Sequence, residues 1–278
     1  IVEPTTQIKV QPKPDNLIKW GESGFPERLL IDEVVTWLIR TYNLKTIEET
    51  QEIYYYSKGV YKNKGNNLCR ETIVKSYHGI ITEEGIPLVD RRVLDEIINK
   101  IIFLTKVSIK DFDSNLDIVN LKNGLYNWRT HTFMKHMPEY LSSIQIPITY
   151  DKDADCPTIK EVFGDIVDER YKTLCLEFIA YLLYRGYDIQ KAIILFGPGR
   201  TGKSWYLDLC KNFVGIDNIS TESMQSLTND KFAPSHLYRK LLNECGDLDA
   251  ETLKNTGVFK RLSSKDNSVI RLAALFLV

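Results

Sequence analysis

A chain of 278 residues, 43% hydrophobic and 26% charged, carries enough apolar side chains for real cores, and at about 100 to 200 residues per domain it has room for two. A formal net charge of −1 excludes a globally basic nucleic-acid binder, and no apolar run approaches the roughly 18 residues of a membrane span. Cys69, Cys156, Cys175, Cys210 and Cys245 are scattered, with no CxxC pair and no His at zinc spacing, which predicts buried free thiols instead of a disulfide or zinc framework.

The opening IVEPTTQIKVQPKPD lacks the charged-then-apolar layout of a signal peptide, so an intracellular, cytoplasmic protein with no membrane partner is expected. Its first residue is Ile1, which points to a processed or excised chain. Residues 1–28 hold Pro4, Pro12, Pro14 and Pro26 among polar residues and read as an extended linker. An α-rich α+β domain is expected over 29–158. Leu29, Leu30, Val34, Val35, Leu38 and Ile39 are spaced as one helix face between Pro26 and about Arg40. QEIYYYSKGVYKN predicts a hairpin around Ser57-Lys58-Gly59. Its tyrosines, Tyr54, Tyr55, Tyr56 and Tyr61, fit half-buried strand aromatics better than a base-stacking platform. Arg91–Leu104 is a second amphipathic helix, and DIVNLKNGLYNW predicts two strands about a turn at Lys122-Asn123-Gly124. Asp151, Asp153 and Asp155 alternate, yet Cys156 and Val162 stand where a calcium loop needs Gly and Glu, so PITYDKDADCP reads as a connector.

The second domain is expected over 159–278. Ile159 to Arg185 predicts one or two helices. Then Ala192 to Phe196, an apolar strand, runs into Gly197-Pro198-Gly199-Arg200-Thr201-Gly202-Lys203-Ser204, and Trp205, Leu207 and Leu209 open an amphipathic helix. In strand–loop–helix context GxxxxGK[ST] predicts a phosphate-binding loop: its backbone N–H groups converge on an anion at a helix N-terminus, Lys203 reaches the β- and γ-phosphates, and the Ser204 hydroxyl enters the Mg²⁺ shell. ATP and Mg²⁺ are the expected cofactors. A metal-linked acid is needed as partner, and YRKLLNECGDL, ending about 40 residues after Lys203, offers Glu244 and Asp247 for that role. Residues 191–278 hold 12 Lys and Arg against 9 Asp and Glu, and between Lys254 and Arg271 five basic residues face one acid. That local positive charge fits DNA.

The order ILFGPGRTGKS, FAPSHLYRKLLNECGDLD, LKNTGVFKRLSSKDNSVIR resembles the superfamily 3 helicase domain of phage-, plasmid- and poxvirus-type primase-helicases. Upstream, EIYYYSKGVY, NGLYNWRT and PITYDKDADCPTIKEVF resemble the domain that precedes the helicase in that family, so the likeness covers roughly residues 29–271. The resemblance implies an α/β P-loop NTPase core of AAA+-like, superfamily 3 type, and a DNA helicase of a mobile-element replication protein. It implies ATP hydrolysis at the subunit interfaces of a ring, hexameric when the chain is full length, with an upstream primase domain as a possible neighbour. It also implies that Lys203 and Ser204 bind nucleotide and Mg²⁺, that Asp247, with Glu244 as the alternative, is the metal-linked acid, and that Lys260, Lys265 and Arg271 contact DNA. Ser264-Lys265 replaces the family's glycine pair. Relatives continue into a strand with a polar sensor and then an arginine finger, whereas this sequence runs out at Leu272–Val278. Two expectations follow: the core is C-terminally truncated, or the apolar tail fills the gap as a makeshift strand between the phosphate-loop and acidic strands. The alternative function is a nucleotide-binding remnant or regulatory fragment without turnover. A small-molecule kinase is disfavoured, for no Arg-rich lid segment is present.

Overall fold

The computed structural model describes residues 17–186, 193–247 and 274–277, the side chains of 224, 228, 245–247 and 274–277 excepted. The chain divides into two compact units, Ile1–Ser114 with Met137–Ser143, and Asn115–His136 with Ile144–Val278.

In the first unit β1 (Ile18–Trp20) and β2 (Pro26–Leu29) form an antiparallel hairpin, so the linker expected over 1–28 gives way to structure from residue 17. Leu17, Ile18 and Leu29 are buried in the core, and Lys19 pairs with Glu27 across the strands at 2.7 Å. Pro26 fits because the first residue of a strand tolerates a missing N–H. It also moves the start of α1 (Ile31–Tyr42) later than the Pro26 the sequence indicated. α1 buries Val34, Val35, Leu38 and Tyr42, one face of a 3.6-residue repeat, and stops at Asn43 in a left-handed conformation (φ 46°) whose N–H returns to the Ile39 carbonyl.

β3 (Lys45–Ile47), β4 (Ile53–Ser57) and β5 (Val60–Lys62) follow, and the expected β4–β5 hairpin turns on Lys58 and Gly59, both at positive φ (51° and 87°), as a two-residue type I′ turn requires. Tyr61 and Tyr54 are buried against Phe112, which accounts for these tyrosines as packing rather than as a stacking platform. α2 (Gly65–Tyr77) and α3 (Arg91–Leu104) cover the core; the Asp90 carboxylate caps α3 by accepting from Val93 N–H at 2.9 Å. β6 (Lys106–Val107) completes a sheet of order β5-β4-β3-β6, pinned by a buried Thr46–Thr105 hydroxyl pair at 2.8 Å. Cys69 sits in this core, where burial pushes its thiol up to about 12 and leaves it unreactive. Cys156 departs from the expectation of buried thiols, for it is exposed.

The second unit opens with a meander, β7 (Ile118–Leu121), β8 (Gly124–Asn127) and β9 (Thr132–Met134). The compact unit that holds the meander begins at Asn115. Val119 and Leu121 pack with Phe163, Phe178, Leu182, Leu207 and Val214, and Leu121 bridges to Ile146, so the meander is built into the later core. α4 (Pro157–Ile166) and α5 (Glu169–Leu183) are the two expected helices, α5 capped by Asp168. They lead to β10 (Ile193–Leu195), α6 (Lys203–Val214), β11 (Ile219–Ser220), α7 (Met224–Asn229), β12 (Leu242–Asp247) and β13 (Ala274–Leu277). The sheet is parallel, of order β10-β13-β12-β11. The apolar tail thus stands between β10 and β12, the second of the two outcomes the sequence left open. No helix among the described residues is long and apolar enough to cross a membrane.

Leu38 is fully buried and Phe103 is 73% exposed. Leu38→Ala should cost about 2–5 kcal/mol in urea unfolding, and Phe103→Ser should stay within about 0.5 kcal/mol. A Leu38 change as small as the Phe103 change would contradict the assigned core.

Candidate functional site

The strand–loop–helix expected around Lys203 is present. β10 ends at Leu195, residues 196–202 form the loop, and α6 begins at Lys203 itself. Arg200 (φ 65°) and Gly202 (φ 84°) both occupy the left-handed region, which folds the backbone into a concave turn ahead of the helix. No side chain caps α6, so its first-turn N–H groups are available to an anion. Gly202 is required twice over. Its φ disfavours a side chain, and a Cβ would stand 2.9 Å from Cβ of Ile166 at the end of α4.

Lys203 Nζ donates to the Gly197 carbonyl and, at 3.1 Å, to the Pro198 carbonyl, while Thr201 Oγ1 donates to the Pro198 carbonyl at 2.9 Å. The ammonium is therefore held over the loop, and Ser204 beside it is exposed. This arrangement concentrates one cation, one hydroxyl and a helix N-terminus in a few ångströms of chain.

The two candidate acids separate by register. Glu244 is level with Leu275 and Ile193, whereas Asp247 is level with Leu277 and Leu195, the last strand residue before the loop. The Glu244 carboxylate meets Lys211 at 3.2 Å; Lys211 also meets Asp208 at 3.0 Å, and the two carboxylates hold its ammonium above the usual lysine range. Lys211 is eight residues along α6 from Lys203, about 12 Å. Glu244 is thus engaged two turns down the helix, and Asp247 is the acid whose backbone reaches the level of the loop. The Asp247 side chain lies outside the described atoms, and Lys260, Lys265 and Arg271 lie outside the described residues.

A cluster that the sequence analysis missed sits at the end of β11. Buried Asn243 donates through Nδ2 to the Glu222 carbonyl (3.0 Å) and accepts the Glu222 N–H (2.9 Å). The Glu222 carboxylate accepts from Ser226 Oγ and meets His236 Nδ1, each at 2.6 Å, and these partners hold it below the usual carboxylate range. An Asn inside the apolar run LLNEC was the available signal.

A cavity of about 900 Å³ in the first unit lies among the β1–β2 hairpin, α1, α3 and the 82–88 loop. Its lining is mostly acidic, with Glu27, Asp32, Glu83, Glu84 and Glu96 outweighing Arg28 and Lys100, a balance that disfavours a polyphosphate. Among the described residues no three His, Cys, Asp or Glu side chains form a metal-binding group.

Two parts of the chain match known families. Residues 34–168 match the family described as D5 N terminal like. The matched segment runs from α1 through the meander to the end of α4 and stops before the loop. Residues 195–274, which hold the loop and β12, match a family of unknown function, DUF5906. No curated protein matches the chain. Two solved structures share the fold. The A form apo structure of the NrS-1 C terminal region aligns with TM-score 0.52 and 11% identity, over 90% of this chain and 56% of that one. The apo structure of the same region spanning 305–718 gives TM-score 0.51 and 12% identity, over 89% and 56%. The chain therefore spans just over half the length of the structures it matches.

Gly202→Ala should lower the unfolding free energy by more than about 1 kcal/mol, because both φ and Ile166 oppose the methyl. Gly199→Ala, with open space around it, should change stability by less than about 0.5 kcal/mol. Equal effects in urea titrations would remove Ile166 from the account of the loop.

Proposed function

We propose that this chain is the nucleotide-hydrolysing, DNA-translocating module of a mobile-element replication protein of primase-helicase type. The observation that carries the reading is Lys203, the first residue of α6, poised over a glycine loop beside an uncapped helix N-terminus. The D5 N terminal like match supports the replication context, since that segment precedes the helicase in phage and viral primase-helicases.

In this reading the N–H groups of 199–204 cradle the phosphates of ATP. Lys203 exchanges its two carbonyl acceptors for β- and γ-phosphate oxygens, a charge-assisted replacement that favours the bound state. Ser204 and Asp247 would hold Mg²⁺, which neutralises charge developing on the transferred phosphoryl group. Glu244 keeps Lys211 in place between α6 and β12 and so positions the acidic strand. Lys260, Lys265 and Arg271 take the DNA strand, and a neighbouring subunit of a ring supplies the arginine that completes hydrolysis.

Mg·ATP binding by calorimetry tests the assignment. Lys203→Ala should weaken it by about two orders of magnitude, as removal of one partner of a charged hydrogen bond does. Asp247→Asn should lower turnover more than Glu244→Gln. Unchanged ATP affinity in Lys203→Ala would sink the reading.

A further inference from the structure

The meander carries a feature that the loop does not explain. Tyr126 on β8 stands opposite Phe133 on β9, so the two side chains share a face, and residues 128–131 form the turn that joins the strands. On that face Tyr150 stacks on Phe133 (centroids 5.1 Å, planes 25° apart) and on Tyr126 (4.9 Å, 29°). Gly124 lies directly under the Phe133 ring: a Cβ there would be 2.5 Å from Phe133 Cζ. Phe133 is therefore backed on its inner side and still 42% exposed. Trp128, at the end of β8, repeats the arrangement. Its indole N–H donates to the Leu116 carbonyl at 2.9 Å, its ring meets Tyr184 edge-on at 6.0 Å, and it remains 36% exposed. Both rings are held by their neighbours and keep part of their surface in solvent.

Polar and basic groups stand beside them. The Arg129 guanidinium sits 4.9 Å from the Trp128 ring centroid, held by Asp117 at 2.9 and 3.1 Å. His131 Nδ1 meets the Tyr126 hydroxyl at 3.1 Å, and Lys135 is exposed two residues beyond Phe133. Residues 115–136 hold Lys122, Arg129 and Lys135 against the single acid Asp117. A hairpin packed only for stability has no need to leave two buttressed rings in solvent among positive charges.

We propose that this face binds single-stranded nucleic acid, with bases stacking on Phe133 and Trp128 and phosphates meeting Arg129 and Lys135. Unpaired bases offer the π-faces such rings take up, whereas a duplex offers them only at its ends. The contact is separate from the phosphate loop and does not depend on nucleotide.

The test is fluorescence anisotropy of the whole chain with labelled dT20 and rU20, without nucleotide. The parent binds at least one strand, and the tighter of the two names the natural sugar. On that strand Phe133→Ala and Trp128→Ala each weaken binding about tenfold. Lys135→Gln lowers the slope of log affinity against log salt by about 0.7. Phe133→Leu, which keeps apolar bulk and removes the ring, guards against a folding defect and shows the same loss. Mg·ATP affinity stays at the parent value in all four, which separates this result from failure of the loop assignment. The proposal is overturned if the parent binds neither strand, if a blunt duplex of equal length binds as tightly, or if folded Phe133→Leu binds within twofold of the parent.

Discussion

The second unit depends on one strand. β13 gives its backbone groups to β10 on one side and β12 on the other, and among the described strands it joins β10, which leads into the glycine loop, to β12. Unpaired N–H and C=O groups along two such strands would be costly wherever they are buried. The same register carries the functional geometry, because it is through Leu277 that Asp247 becomes level with Leu195. Sheet pairing and acid placement are thus one constraint.

The loop adds a second dependency that runs through packing. Ile166 closes on Gly202, so the position of the loop is tied to α4, the last element of the D5 N terminal like segment. The residue at the start of α6 is in turn tied to the loop by its own ammonium. A chain that folds this way keeps a cation stored on two weak acceptors beside unpaired helix-end donors, ready for a better one. Charge separates the two concave features: the cavity of the first unit is lined mostly by carboxylates, while the loop presents donors and a lysine.

Short-range chemistry was legible in the residues. Ser57-Lys58-Gly59 announced a hairpin, the periodicity of 91–104 announced α3, and the glycine loop announced the strand and helix on either side of it. What escaped depended on partners distant in sequence. The β1–β2 hairpin was hidden because Pro26 and polar neighbours resemble a linker until Leu17, Ile18 and Leu29 find the core. The packing of the meander with later elements shows only in the Leu121–Ile146 bridge and the core around Phe163. Glu244 and Asp247 were equivalent as letters and became distinct once Lys211 and the β13 register were known. The contacts of Phe133 with Tyr150 and of Trp128 with Tyr184 join residues distant in sequence and left no local signal.

The central claim is that the 197–204 loop receives the phosphates of a nucleotide. Amide hydrogen exchange of the whole chain, with and without Mg·ATP, tests it most directly, because the donors in question are backbone N–H groups. The account expects slowed exchange in peptides covering 197–206, with adenosine alone producing no such change. Unaltered exchange there at saturating Mg·ATP, or protection confined to the acidic cavity of the first unit, would contradict it.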